Sequence, residues 1–173
     1  MVVLIEDTRQ KAGQHTTKHE AWAADGVELV RCTLPWGDYV KPYAVSVDTK
    51  KDIYELYMDI TSDHVRFRRE CIESRNAGCQ LWILVENEDG VKSLEDLCGW
   101  AESDRHLAIR KKALKRAHKD PERAKRMEGA PLAGKCGTMQ ERYGVRFAFC
   151  TPQEAAGRVI AILEGVEPWP PTC

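Results

Sequence analysis

The feature that most restricts the fold of this chain is a succession of short apolar runs, each ending in polar residues and each followed by a segment of helical spacing. The runs at 2–5 and 81–85 have the length of strands and fall far short of the roughly 20 apolar residues needed to cross a membrane. Residues 1–6 read as a buried strand that stops at Asp7-Thr8-Arg9, 15–25 as a helix broken by Gly26, and 27–34 as a second strand turned by Pro35-Trp36-Gly37. Two short strands, 37–40 and 44–47, flank Lys41-Pro42 and predict a hairpin whose second arm runs into Asp48-Thr49-Lys50. Helices are expected over 52–60 and 63–77, with Asp63 as N-cap of the second and Gly78 beyond its end. Then come a central strand at 80–86, a Ser93-capped helix to Trp100, a short helix at 134–142 and a last strand at 145–150. Thr151 is placed to cap a final helix, with Pro152 at its first position and Gly165 at its end. Strands alternating with helices predict an α/β layered domain, and the hairpin makes its sheet mixed.

A length of 173 residues suits a single domain, here 1–166, followed by a loose Pro-rich tail at 167–173. The first residues form a strand-like run with no basic leader or cleavage site, so a cytosolic protein is expected. Seven cysteines, an odd number without a C-x-x-C pair, argue against a disulfide framework and a thiolate zinc site. The glycines at 129–137 lack the phosphate-loop pattern, so no nucleotide cofactor is expected. A net charge of −1 conceals an asymmetry: residues 105–126 hold ten Lys or Arg against Asp120 and Glu122, a local +8 on a body of −9. The charged stretch 101–129 reads as a basic helical insertion, projecting or partly disordered.

Phosphodiester hydrolysis needs an oriented water, neutral charge at the phosphoryl oxygens and a stabilised leaving oxygen, tasks that hard divalent cations perform. Such cations take carboxylates, magnesium using few of them and keeping several waters. Asp7 ends the first strand, Asp38 follows Gly37, and Asp48 lies two residues before Lys50, so Asp48 and Lys50 share one face of an extended strand. Thr49 between them offers its carbonyl, and a lysine so placed can orient or deprotonate water or stabilise charge. His15, His19 and His64 match no compact metal spacing and read as structural, and Glu20 is a further candidate from the first helix.

The runs Ile5-Glu6-Asp7-Thr8-Arg9, Leu34-Pro35-Trp36-Gly37-Asp38-Tyr39 and Val47-Asp48-Thr49-Lys50-Lys51-Asp52, followed by Arg66-Phe67 and Glu70, resemble the XPF/Hef nuclease domain family in order and spacing over residues 2–87. The resemblance implies a restriction-endonuclease-like fold of the PD-(D/E)XK type, whose signature is G-D-x(n)-E-R-K-x(3)-D. Gly37-Asp38 match its G-D, Asp48 stands for the glutamate, and Lys50 matches the lysine. Asp7 and Arg9 match the family's D-x-R, and Arg66 the arginine of its R-L/F-x-x-Q helix, where this chain has Glu70. The final aspartate of the signature has no clean counterpart, Asp52 falling early and Glu55 late. Helix-hairpin-helix modules, common in XPF relatives, are not found.

These readings converge on a Mg²⁺- or Mn²⁺-dependent DNA endonuclease acting on branched or structured DNA, with Asp7, Asp38, Asp48 and Lys50 catalytic and Asp7, Asp38, Asp48 and Thr49 at the metal. Arg9 and Arg66 are expected on the phosphate backbone, with Arg110, Lys111, Lys112, Lys115 and Arg116 as the DNA grip. The resemblance further implies a homodimer, for which the apolar face of the helix at 152–163 and its neighbouring strand are the candidate surface, the same face serving equally as ordinary core, and the compact chain resembles bacterial or bacteriophage forms. The rivals are a DNA-binding module without catalysis and a protein-binding regulator of a nuclease or repair complex.

Overall fold

A computed structural model describes residues 3–11, 13, 15–41 and 45–166. The expected break at Pro42, the strand residue Ala44 and the tail at 167–173 lie outside the described residues. The elements run β1 (Val3–Asp7), α1 (Thr16–Ala24), β2 (Glu28–Cys32), β3 (Tyr39–Lys41), β4 (Val45–Lys50), α2 (Ile53–Thr61), α3 (His64–Asn76), β5 (Gln80–Glu86), α4 (Leu94–Gly99), α5 (Asp104–Arg116), α6 (Gly129–Tyr143), β6 (Arg146–Cys150) and α7 (Ala155–Glu164).

The strands form one mixed sheet in the order β2-β1-β3-β4-β5-β6. β3 is antiparallel to both β1 and β4, whereas β1 with β2, and β4 with β5 and β6, are parallel. Strand periodicity divides the core into two layers. Ile83, Val85, Phe147 and Phe149 face α2, α3 and α6, packing on Ile53, Leu56, Phe67 and Leu132. Trp82, Leu84 and Ala148 face α1 and α7, packing on Trp22, Val159, Ile162 and Leu163. Each fully buried large side chain contributes roughly 1.5–3 kcal/mol, so both layers are required to hold the sheet.

α7 departs from its expected start. Glu154 Oε2 accepts from the Thr151 amide and hydroxyl, both at 2.9 Å, which closes a turn and delays the helix to Ala155. Of the two readings of its apolar face, dimer surface or core, the second holds: Ala155, Ala156, Val159, Ile162 and Leu163 are buried in the second core layer. Asp63 precedes α3 but makes no side-chain cap, because its carboxylate goes to Arg66 Nε at 2.6 Å.

The insertion is ordered at its base. Ala101 bridges Glu128 antiparallel, the Gly129 amide donates to the Trp100 carbonyl at 2.8 Å, and a Cβ on Gly129 would lie 1.7 Å from the Leu97 carbonyl oxygen. Only glycine fits that crossing. α5 beyond it has no buried residue. Among the described residues no helix is long and apolar enough to cross a membrane, and six free cysteines are present. Burial pushes the Cys71, Cys136 and Cys150 thiols up to about 12, as inert core groups. Cys79 is half-buried.

Candidate active site

The polar ends of β1 and β4 and the turn before β3 meet in a cleft of about 640 Å³ that is also lined by α3. Asp7, Arg9, Asp38, Asp48, Thr49, Lys50 and Arg66 all line it, so seven of the sequence candidates come together. The five expected cations of the arm are not among its lining residues. Glu20 is exposed and does not line it either.

Backbone pairing puts Asp38 between the neighbouring strands: the Asp7 amide donates to its carbonyl at 2.8 Å, and its own amide donates to the Val47 carbonyl at 3.1 Å. Gly37 makes this turn possible. Its φ is +68°, and a Cβ there would stand 2.3 Å from Ser46 Oγ. The Gly37 amide donates to Glu70 Oε1 at 2.7 Å, tying the turn to α3.

Each carboxylate has a different environment. Asp7 accepts from the Arg9 amide at 2.8 Å and from Arg9 Nε at 2.7 Å. Burial opposes its charge, but the Arg9 hydrogen bonds outweigh it and hold the carboxyl below the usual range. Asp38 Oδ2 accepts from the Thr49 amide and from Thr49 Oγ1, both at 2.9 Å, and Oδ1 accepts from Gln10 Nε2. Burial, and then the charge of Asp48, push Asp38 up to about 7. Burial and Asp48 also raise Glu70. Asp48 is thus a negative centre that disfavours charge on two neighbours, the condition a divalent cation relieves.

Lys50 is buried and lies 2.8 Å from Asp48 Oδ2 and 2.6 Å from Asp59 Oδ2. Burial opposes its charge, yet Asp48 and Asp59 outweigh it and raise its pKa, which favours the charged form. Asp59 was not among the sequence candidates. It pairs in turn with Arg66 Nη2 at 2.8 Å, and Arg66 also reaches Asp63 and Glu70. The signal available in the sequence is its spacing: Ile53, Leu56 and Ile60 form the buried face of α2, and Asp59, three residues after Leu56, falls on it as a charge.

The residues suit magnesium in one specific sense. Among the described residues no three His, Cys, Asp or Glu groups converge as a preformed cage. Two mutually repelling carboxylates, Asp38 and Asp48, instead fit an ion that binds few carboxylates and completes its shell with water and substrate oxygen.

On the arm, Arg110 Nη1 lies 2.6 Å from Glu102 Oε2 and Lys111 Nζ 3.1 Å from Glu122. These two expected DNA contacts are therefore engaged within the insertion. Lys112, Lys115 and Arg116 carry no ion pair among the described residues. His19 pairs with Glu6 at 2.7 Å on the opposite face of the sheet, and His64 lines a separate cleft between α3 and α6.

No family model matches the sequence, and no curated protein is significantly similar to it. Solved structures are. XPF from Aeropyrum pernix superposes with a TM-score of 0.60 at 14% identity, covering 96% of this chain and 62% of that one. XPF from Aeropyrum pernix in complex with DNA superposes with a TM-score of 0.58 at 15% identity, covering 96% of this chain and 65% of that one. The chain thus spans less than two thirds of the length of either. Likeness at this identity establishes architecture, and the α/β mixed sheet that carries the cleft has the XPF nuclease fold.

Proposed function

We propose that the protein is a divalent-metal-dependent DNA endonuclease acting on branched or structured DNA. The observation that carries this reading is the gathering of Asp38, Asp48 and Lys50 in one cleft of an XPF-type sheet. The DNA complex of a similar fold supports DNA as the partner.

In this reading Asp38, Asp48 and the Thr49 carbonyl hold Mg²⁺ or Mn²⁺, with Asp7 nearby. When bound, the cation supplies charge neutralisation at the phosphoryl oxygens and a more acidic water. The chain does the rest. Thr49 and Gln10 fix the Asp38 carboxylate. Lys50 remains charged through Asp59, so it aligns the attacking water by hydrogen bonding and stabilises negative charge as it develops. Arg9, 62% exposed at its side chain, and Arg66, 46% exposed, stand at the cleft to meet phosphates. Lys112, Lys115 and Arg116 supply a second, sequence-independent grip. Pairing of two copies, implied by the family resemblance, belongs to this proposal without the α7 face, which the core consumes.

A second reading is a DNA-binding module without catalysis, favoured by Asp48 standing where the family signature has glutamate and by the lack of a clean counterpart to its final aspartate. Labelled flaps, forks, junctions and plain duplex, incubated with the protein in Mg²⁺ or in EDTA, separate the two. Metal-dependent cutting of a branched substrate supports the nuclease, and binding without cutting in any metal supports the module.

A further inference from the structure

Beside the cleft lies a chain of polar contacts that the proposed chemistry leaves unused. Gln10 Nε2 donates to Asp38 Oδ1, and Gln10 Oε1 lies 2.7 Å from His15 Nε2. All three residues line the cleft. The orientation of the amide follows from its partners: in the ionised form that a cation binds, the Asp38 carboxylate only accepts, so the Gln10 nitrogen faces Asp38 and its oxygen faces His15. An amide oxygen carries no proton, so His15 must present Nε2–H. The backbone of Gln10 is pinned as well, its amide donating to the Asp7 carbonyl at 3.1 Å and its carbonyl accepting from Arg31 Nη2 at 2.6 Å.

From this geometry we infer that Gln10 and His15 are a positioning pair that sets the Asp38 carboxylate for a divalent cation, an inference that rests on the metal-site reading above. A carboxylate offers about four lone-pair positions. The Thr49 amide, Thr49 Oγ1 and Gln10 Nε2 occupy three, leaving one on Oδ1 for a cation. Without Gln10 the carboxylate is held at one oxygen only and turns about that anchor. Without the His15 proton, the Gln10 amide is free to rotate and to turn its oxygen towards Asp38, replacing a donor by a repelling acceptor. Burial, and then the charge of Lys18, push His15 down to about 4, so the imidazole is neutral and one tautomer is fixed by the contact.

The test measures Mn²⁺ binding to the full chain by calorimetry without DNA, so that catalysis does not enter. Gln10→Leu is expected to weaken Mn²⁺ about 10–100-fold, the usual effect of removing a hydrogen-bond partner behind a ligand. His15→Leu is expected to fall in the lower part of that range. His15→Gln, whose amide also donates, should recover most of the loss, whereas a residue that merely fills space would not be rescued this way. Nitrogen-15 NMR of the metal-free wild type at about pH 8.5, where Asp38 is ionised, should show His15 protonated at Nε2, a readout independent of any variant's folding.

Asp38→Asn separates the two levels of the argument. If it binds Mn²⁺ like wild type, the metal-site reading falls and the positioning pair falls with it. If Asp38→Asn loses the metal while folded Gln10→Leu and His15→Leu retain it, or if His15 carries its proton at Nδ1, the positioning pair alone is overturned.

Discussion

Arg110→Ala distinguishes a cation that holds the insertion together from one that holds DNA. Glu102, its partner, is fully buried, with Oε2 shared between Arg110 Nη1 at 2.6 Å and the Met127 amide at 3.2 Å. Oε1 is buried without a hydrogen-bond partner. Removing Arg110 therefore leaves a buried carboxylate with one amide for compensation. Breaking an ion pair buried on both sides costs about 3–5 kcal/mol. The Arg110 side chain is 22% exposed, so water can enter the vacated space, and we expect about 2–3 kcal/mol. In urea the midpoint should fall by roughly 1 M for a slope near 2 kcal/mol/M. Protease cutting within 101–128 should rise with it. Replacing both partners, as Arg110→Ala with Glu102→Leu, should recover part of the loss because no buried charge remains. Neutralising Lys112, Lys115 and Arg116 should instead leave the urea midpoint alone. It should make the plot of log affinity against log salt shallower by about 2.7, at about 0.9 per phosphate contact. An Arg110→Ala protein of unchanged stability whose salt slope drops by about one would refute the assignment of this arginine to the fold.

Three further outcomes follow from the cleft. The folded pKa of Asp38, about 7, lies above its ordinary 3.8, so the folded state binds that proton more tightly and loses its contribution as pH rises through 7. The difference has a ceiling of about 4 kcal/mol at roughly 1.4 kcal/mol per pH unit, which water in the open cleft screens to about 1–2 kcal/mol. In EDTA the melting temperature of wild type should therefore fall between about pH 4 and 7 relative to Asp38→Asn and level off above, and Mg²⁺ at about pH 8 should restore it; the lowered Asp7 acts in the opposite sense, losing stability only as pH falls below its ordinary 3.8. Gly37→Ala must adopt φ +68° with a Cβ 2.3 Å from Ser46 Oγ, so a loss of at least about 1–2 kcal/mol in chemical denaturation is expected, together with weaker metal binding as Asp38 shifts. Lys50→Met removes charge from the site and should lower single-turnover cleavage about 10²–10³-fold, with DNA affinity measured by anisotropy changed less than about threefold.

The parts of the site on strand ends were legible in the sequence because strand geometry is local. Asp48 and Lys50 share a face by a period of two, and Gly37 marks the turn that delivers Asp38. The mixed sheet follows from the same local signals. What escaped was set by contacts between elements. Asp59 reaches Lys50 only after α2 folds across β4, and Gln10 meets His15 and Asp38 only when β1, α1 and the turn before β3 have assembled. The arm shows the same limit: a count of basic residues cannot tell Arg110, spent on Glu102, from Lys112, which has no ion pair among the described residues, because the distinction depends on the fold-back at Gly129. For α7 the sequence left dimer face and core open, because an apolar helix face looks alike whether its partner is a second chain or the chain's own sheet; the structure puts it in the core.

Asp48 is the residue on which the nuclease reading turns, since its charge shapes both Asp38 and Glu70 and its oxygen faces Lys50. The most direct test is single-turnover cleavage of a labelled branched DNA by wild type and Asp48→Asn, in Mg²⁺ and in EDTA, with binding measured on the same substrate. We predict cutting by wild type in Mg²⁺ alone, and an Asp48→Asn protein that binds the DNA within about threefold of wild type while cutting at least about 100-fold more slowly, the scale of losing charge stabilisation at the reacting phosphate. Equal cutting by the two folded proteins, or cutting by wild type in EDTA, would contradict the account.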